Sequence, residues 1–312
     1  MEHSSVHSGT RWLGNSARRV AAAAAASLIV AGLLTGFSGS SRASAASRPK
    51  ASGTVTVLYA GSLLDLMQQR IGPAFHRATG YTVRGFSNGS SALASEIKGG
   101  TQVGDVFISA SPKADQSLQG TSNGDWVSTY QEFGTSRLVL GYNPSSKYAK
   151  DLRTRPWYDV VDLPNFLLGR TDPATDPKGV LAVNALNGVA LSYAIPRLNA
   201  LATSTSTIYP ENALVGEIQA GQLDAGFFYA VEAAAAHLKT VPLAGTGLAA
   251  EYTVAILHHA PDAVAAKAFV KFLFSVAGRK ILRKNGVTSL VPPVRYPVSS
   301  ETTTTTVAST TT

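Results

Sequence analysis

From about Thr54 onward, two patterns of apolar and polar positions take turns along the chain. TVTVLYA is a short β-branched run, and the stretch SLLDLMQQRIGPAFHRATG after it sets Leu63, Leu66, Met67, Ile71 and Phe75 at helical spacing. YTVRGFS, SSALASEIKGG and DVFIS repeat the sequence strand, helix, strand. RLVLGYN reads as a further strand, GVLAVNALNGVALSYAI and NALVGEIQAGQ as helices, and DAGFFYA and EYTVAIL as strands. DAVAAKAFVKFLFSVAGRKILRKNG is a long amphipathic helix with a predicted break at Gly278. Short apolar strands alternating with helices predict an α/β architecture with a mostly parallel sheet. In such sheets a ligand sits beyond the carboxyl ends of the strands, where the next helices begin.

The two ends of the chain follow neither pattern. Arg11, Arg18 and Arg19 precede the apolar run Val20 to Leu34, and a small-residue stretch ends in Ala43, Ser44 and Ala45. That order predicts a secretory signal peptide over residues 1–45, and so an exported protein, periplasmic or at the cell surface. The rival is an uncleaved helical tether, although the run is shorter than the ~20 residues that span a bilayer. Phe37 occupies the place of a lipidated cysteine, so no lipid can attach there. Residues 296–312, Ser/Thr-rich and without apolar period, predict a disordered tail.

Composition then narrows the chemistry. The chain has no cysteine, which excludes disulfides, thiolate metal sites and thiol nucleophiles. Its six histidines show no HExxH spacing for a zinc enzyme. Of the net charge of +8, the first 45 residues carry +3, which leaves a mild excess of +5 that favours anionic partners in general. No basic run is interleaved with aromatics, so nucleic acid is not an expected partner. Arg279, Lys280, Arg283 and Lys284 read as a solvated helix face. GSSAL around Ser90 lacks the second glycine of a GxSxG nucleophile turn, and no histidine is spaced as its base, so no catalytic function is expected.

Four strand-to-helix junctions share one chemistry. Ser62, after Gly61 in YAGSLLDLM, is a natural N-cap, and Ser90 and Ser91 open a helix after Gly89. In GRTDPATDPKG (169–179), two Asp-Pro pairs could form a plain turn, a metal site or a helix start. Asp176 as N-cap and Pro177 in the first helical position favour the helix start. Tyr229 lies between the DAGFFYA strand and an Ala-rich helix. Helix N-termini offer unpaired N–H groups and about half a positive charge, so several ends converging could seat a small anion.

YAGSL, NGSSALASEIKGG, DVFISAS, the double Asp-Pro loop, the strand end at Tyr229, YTVA and FVKFLFSVAGRKILRKNGV stand in an order that resembles exported molybdate/tungstate-binding proteins of ABC importers. The resemblance covers roughly Thr54 to Pro293. It implies a two-lobed periplasmic-binding-protein-like fold (class II type), each lobe a mixed, mostly parallel sheet flanked by helices, with residues 54–136 and 250–295 in lobe 1, residues 137–249 in lobe 2, and the ligand between them. It further implies that Ser62 and Ser90, beside Gly61 and Ser91, donate hydroxyls and amides to a tetrahedral oxyanion. Lys178 would contribute a backbone N–H, Tyr229 its phenol, and an amide near Asn212 a fifth contact. One branch of the family holds the metal with two carboxylates. Asp172 matches the first, whereas Phe228 stands in place of the second, so Asp172 is read as a turn residue and as a metal ligand only in that coordinated mode. No cofactor is implied beyond the molybdate or tungstate cargo, and the partners are the membrane permease subunits, with the binding protein itself a monomer. Sulfate has the same charge and shape and stays open as an alternative. Iron fits poorly, because FFYA supplies a single tyrosine.

Overall fold

The computed structural model describes residues 52–297, so the predicted signal peptide and all but two residues of the predicted tail lie outside the described residues. β1 (Thr54–Ala60) runs through a 3-10 turn (Gly61–Leu63) into α1 (Leu64–Leu66), a π-helical turn (Met67–Ile71) and α2 (Gly72–Thr79). β2 (Thr82–Asn88), α3 (Ser90–Lys98), β3 (Val106–Ser109) and α4 (Pro112–Gln116) follow. The 14-residue β4 (Thr129–Tyr142) leads to α5 (Ala149–Thr154), α6 (Trp157–Val161), β5 (Leu168–Gly169), α7 (Pro177–Tyr193) and α8 (Pro196–Thr203). The chain continues with α9 (Glu211–Gln219), β6 (Ala225–Tyr229), α10 (Ala230–Ala235), β7 (Lys239–Pro242), β8 (Ala249–Ile256), α11 (Ala263–Leu273), α12 (Val276–Lys284) and β9 (Thr288–Pro297).

β4 is the strand that makes two lobes from one chain. Up to Arg137 it pairs with β8 and β9, completing a sheet ordered β2-β1-β3-β8-β4-β9. From Leu138 onward it pairs instead with β6 and β7, and β5 extends that second sheet beyond β6. We call the first sheet with its helices lobe 1 and the second lobe 2. Both sheets are mixed, as expected, but antiparallel pairs outnumber parallel ones, which corrects the expectation that parallel pairs predominate. β1–β2, β1–β3 and β5–β6 are parallel, whereas all four partners of β4, and the β3–β8 pair, are antiparallel. A strand that enters both lobes and another that returns must run against their neighbours, and sequence pattern does not reveal which strands pair.

Period-2 alternation distributes the apolar residues over the two faces of each sheet. On β1, Val55, Val57 and Tyr59 enter the main core while Leu58 packs on the other face against Leu93, Ile97 and Phe107. On β6, Phe227 and Tyr229 join the main core while Phe228 turns to Leu214, Ile218 and Ala233. The long C-terminal helix breaks earlier than predicted. α11 stops at Leu273, and the Ser275 hydroxyl accepts from the Gly278 N–H at 3.1 Å to cap a separate α12. Tyr296 and Pro297, assigned to the tail by sequence, end strand β9, where Tyr296 pairs with and stacks on Tyr130.

Candidate functional site

The helix start at 176 forms for the reasons its residues suggest. The Asp176 carboxylate accepts the Lys178 N–H at 2.9 Å, Pro177 needs no N–H partner, and seventeen helical residues follow. That cap also engages the amide assigned to the ligand, and the Gly179 N–H bonds to the Asp176 carbonyl at 3.0 Å. Gly179 is needed for another reason. A Cβ there would lie 2.5 Å from the Thr171 carbonyl oxygen, so this glycine lets α7 pack onto the 171–173 backbone.

The Lys178 side chain turns inward, fully buried, with its ammonium 2.8 Å from both oxygens of Glu232 on α10 and 3.4 Å from Glu211 at the start of α9. It also sits 5.6 Å over the Phe228 ring. Burial by itself would depress this ammonium, but Glu232, Glu211 and Asp176 outweigh it and raise it above its ordinary value. Burial pushes Glu211 up to about 8, Asp176 adds to the rise, and Lys178 opposes it. Glu232 is raised by burial as well, against the pull of Lys178.

Hydroxyls gather beside this charged group. Ser62 Oγ and the Tyr252 hydroxyl lie 3.0 Å apart, both buried, across 190 residues of sequence. Such a pair uses one of its two protons internally and leaves the other to donate. The Tyr229 hydroxyl is fully buried, stands T-shaped to Tyr252 with ring centroids 6.2 Å apart, and has no hydrogen-bond partner. Burial pushes the Tyr229 phenol well above its ordinary range, so it stays protonated and remains a donor. The Thr171 hydroxyl is a second buried donor without a partner.

Lobes 1 and 2 touch around these groups. The Ala92 N–H donates to the Thr175 carbonyl at 3.1 Å, and a Cβ on Gly61 would lie 2.1 Å from Glu211 Oε2. A cleft of about 740 Å³ is lined from one side by Gly61, Ser62 and Asp65 and from the other by Thr171, Asp172, Asp176, Glu211, Asn212 and Glu232.

Of the residues singled out in the sequence, Gly61, Ser62, Gly89, Asp172, Asp176 and Asn212 line this one cleft, whereas Ser90, Ser91, Lys178 and Tyr229 are not in its lining. Asn212 is exposed in the first turn of α9, where helical N–H groups lack intrahelical partners. Asp172 Oδ1 accepts the Ala174 N–H at 2.9 Å and so closes a turn. Ser62 does not cap a helix with its side chain, because Tyr252 holds its hydroxyl. Ser90 Oγ accepts the Ala110 N–H at 3.0 Å, and Ser91 faces a second cavity of about 690 Å³ with Ser111, Pro173 and Glu251. Among the described residues no group of three or more His, Asp or Glu is arranged to hold a metal ion.

Tyr252, Thr171, Glu211 and Glu232 escaped the sequence reading. Glu211 and Glu232 do carry a signal, since each is an acid in the first turn of a helix. Tyr252 carries none beyond its place in a strand. Its partner Ser62 is found only in three dimensions.

The model of a known family matches residues 55–288, described as bacterial extracellular solute-binding protein. The chain belongs to that family. Among relatives of this solute-binding protein, an uncharacterized solute-binding protein of Halobacterium salinarum is 32% identical over 57% of this chain and 58% of its own length. The molybdate/tungstate-binding protein WtpA of Pyrococcus abyssi is 26% identical, covering 55% of this chain and 65% of its own. The chain thus spans about three-fifths of the length of these relatives. Among solved structures, the periplasmic molybdate-binding protein of Azotobacter vinelandii superposes with a TM-score of 0.59 over 75% of this chain and 98% of its own, at 20% identity. At that identity the likeness speaks for the two-lobed fold alone.

Proposed function

We propose that the interlobe cleft seats a tetrahedral oxyanion, molybdate or tungstate, and that the exported chain hands it to the membrane permease of an ABC importer. The observation that carries this reading is the Tyr229 hydroxyl, fully buried and lacking any partner, on a ring that packs against Tyr252 of lobe 1. A buried donor left unmade costs about 1–3 kcal/mol, a cost that a seated anion removes. Ser62 with Tyr252, and Thr171, supply further neutral donors from both lobes. The names of relatives such as WtpA support molybdate and tungstate as the anions. Asp172 serves as a turn residue in this mode, with its Oδ1 engaged by the Ala174 amide.

Closure would be a hinge movement about β4, whose two halves belong to different sheets, and about the entry to β8. A permease that recognises the closed form then reads occupancy, so anion binding and docking are linked. Calorimetric titration of the full chain with molybdate, tungstate and sulfate, each alone, tests the assignment. One-to-one binding of the first two, weakened by Ser62→Ala, is expected. Binding of sulfate alone would reassign the cargo, and heat from none of the three would remove the oxyanion function.

A further inference from the structure

Three carboxyl groups line the cleft beside one buried ammonium, two of them in contact with it, which is an unusual setting for an anion. Lys178 gives its closest contacts to Glu232, 2.8 Å to each oxygen, and only a 3.4 Å contact to Glu211 Oε1. Glu211 Oε2 and Asp176 Oδ2 are both buried and both without a partner. With all three acids ionised the group would carry a net charge of −2 out of water, a state that buried sites avoid by neutralising a member. Glu211 is the member placed to stay neutral. Its hold on Lys178 is looser than that of Glu232, and it lacks the backbone N–H that Asp176 Oδ1 accepts from Lys178. Its free oxygen is pressed against the Gly61 backbone of the opposite lobe, which brings no charge. The titratable groups that face it are Lys178 and Asp176 at the start of α7, Glu232 on α10, Tyr229 on β6 and Tyr252 on β8. Asp65 of α1 and Asp172 line the same cleft.

We propose that Glu211 takes part in oxyanion recognition as a neutral acid, with its Oε2 proton donated to the anion, so that one proton enters the closed cleft together with each dianion. This inference rests on the oxyanion reading of the cleft. A neutral carboxylic acid is a donor where a carboxylate is a repulsion, so a single proton reverses the sign of the Glu211 contribution. In the opened cleft Glu211 meets water and titrates as an ordinary carboxyl, near ~4.3. In the closed cleft burial and Asp176 hold it at about 8. Closing on the anion between those limits must therefore take up a proton from solution, while molybdate itself stays a dianion.

Titration of molybdate into the full chain at several pH values, in pairs of buffers that differ in ionisation enthalpy, counts that proton. Uptake of about one proton per anion is expected near neutral pH, with affinity falling about tenfold per pH unit between roughly pH 6 and 8. Glu211→Gln, which keeps an N–H donor at every pH, is expected to take up no proton and to lose this pH dependence. Flat wild-type affinity, or the same proton count in Glu211→Gln, would overturn the role of Glu211 while leaving anion binding intact. If molybdate, tungstate and sulfate all fail to bind at any pH, the oxyanion reading falls and the inference with it. The wild-type proton count stands as a test even if the variant does not fold.

Discussion

The Lys178 ammonium lies 2.8 Å from both carboxylate oxygens of Glu232, 54 residues further along the chain, and the lysine side chain is fully buried. Removing one partner of such a pair leaves a buried charge uncompensated. Lys178→Met is therefore expected to destabilise the fold by about 3–5 kcal/mol, whereas Lys178→Met combined with Glu232→Met recovers most of that loss. Urea unfolding of the single and double variants measures both. A single variant as stable as the wild type would mean that the pair is solvated.

Tyr229→Phe separates function from stability. The deleted hydroxyl has no partner within the protein, so the ligand-free fold is expected to be unchanged or slightly more stable. Oxyanion affinity is expected to fall by about 1.5–3 kcal/mol, roughly ten- to a hundredfold, because hydrogen bonds to charged groups are the strong ones. Thermal unfolding and calorimetric titration of the same sample check the two halves.

Gly61→Ala probes the contact between lobes. The added Cβ would fall 2.1 Å from Glu211 Oε2, the end of a flexible side chain, so the fold can adjust by displacing the carboxyl. The melting temperature is expected to stay close to that of the wild type. Anion affinity is expected to drop by roughly 1.4 kcal/mol, about tenfold, as the closed contact loosens. An affinity equal to that of the wild type would show that Glu211 does not meet Gly61 in the anion-bound form.

A buried acid outside the cleft sets a pH dependence of stability. Burial pushes Asp115 up to about 7, against hydrogen bonds from Thr253 and Ser109. Its unfolded value is ordinary, near ~4. Between the two limits the folded chain keeps a proton that the unfolded chain has released. Stability contributed by this group is present below about pH 4 and lost as pH rises through about 7. Urea midpoints of the ligand-free chain are expected to fall from about pH 5 to about pH 7, and Asp115→Asn is expected to flatten that fall.

Much of the fold is legible in the chain because each element follows from local pattern. The β-branched run at 54–60, the Asp176-Pro177 helix start and the buried strand ending at Tyr229 all form where the sequence puts them. Strand pairing is not local. β4 crossing from one sheet to the other, and β9 with its Pro292-Pro293 pair lying along β4, need partners far along the chain. The site divides in the same way. Ser62 and Tyr229 stand at junctions that pattern can find, whereas the grouping of Lys178 with Glu211 and Glu232 depends on three helix starts meeting in space. Lys178 is the instructive residue. Its place in the loop drew attention to its amide, but Asp176 takes that amide, and the ammonium organises the buried charges.

Anomalous diffraction from crystals of the full chain grown with molybdate tests the central claim most directly. A single molybdenum peak is expected between the lobes, with its oxygens within hydrogen-bonding distance of Tyr229 and of Ser62 or Tyr252, and with no protein carboxylate bound to the metal. A peak coordinated by Asp172, or no peak in the cleft, would contradict the hydrogen-bonded seat.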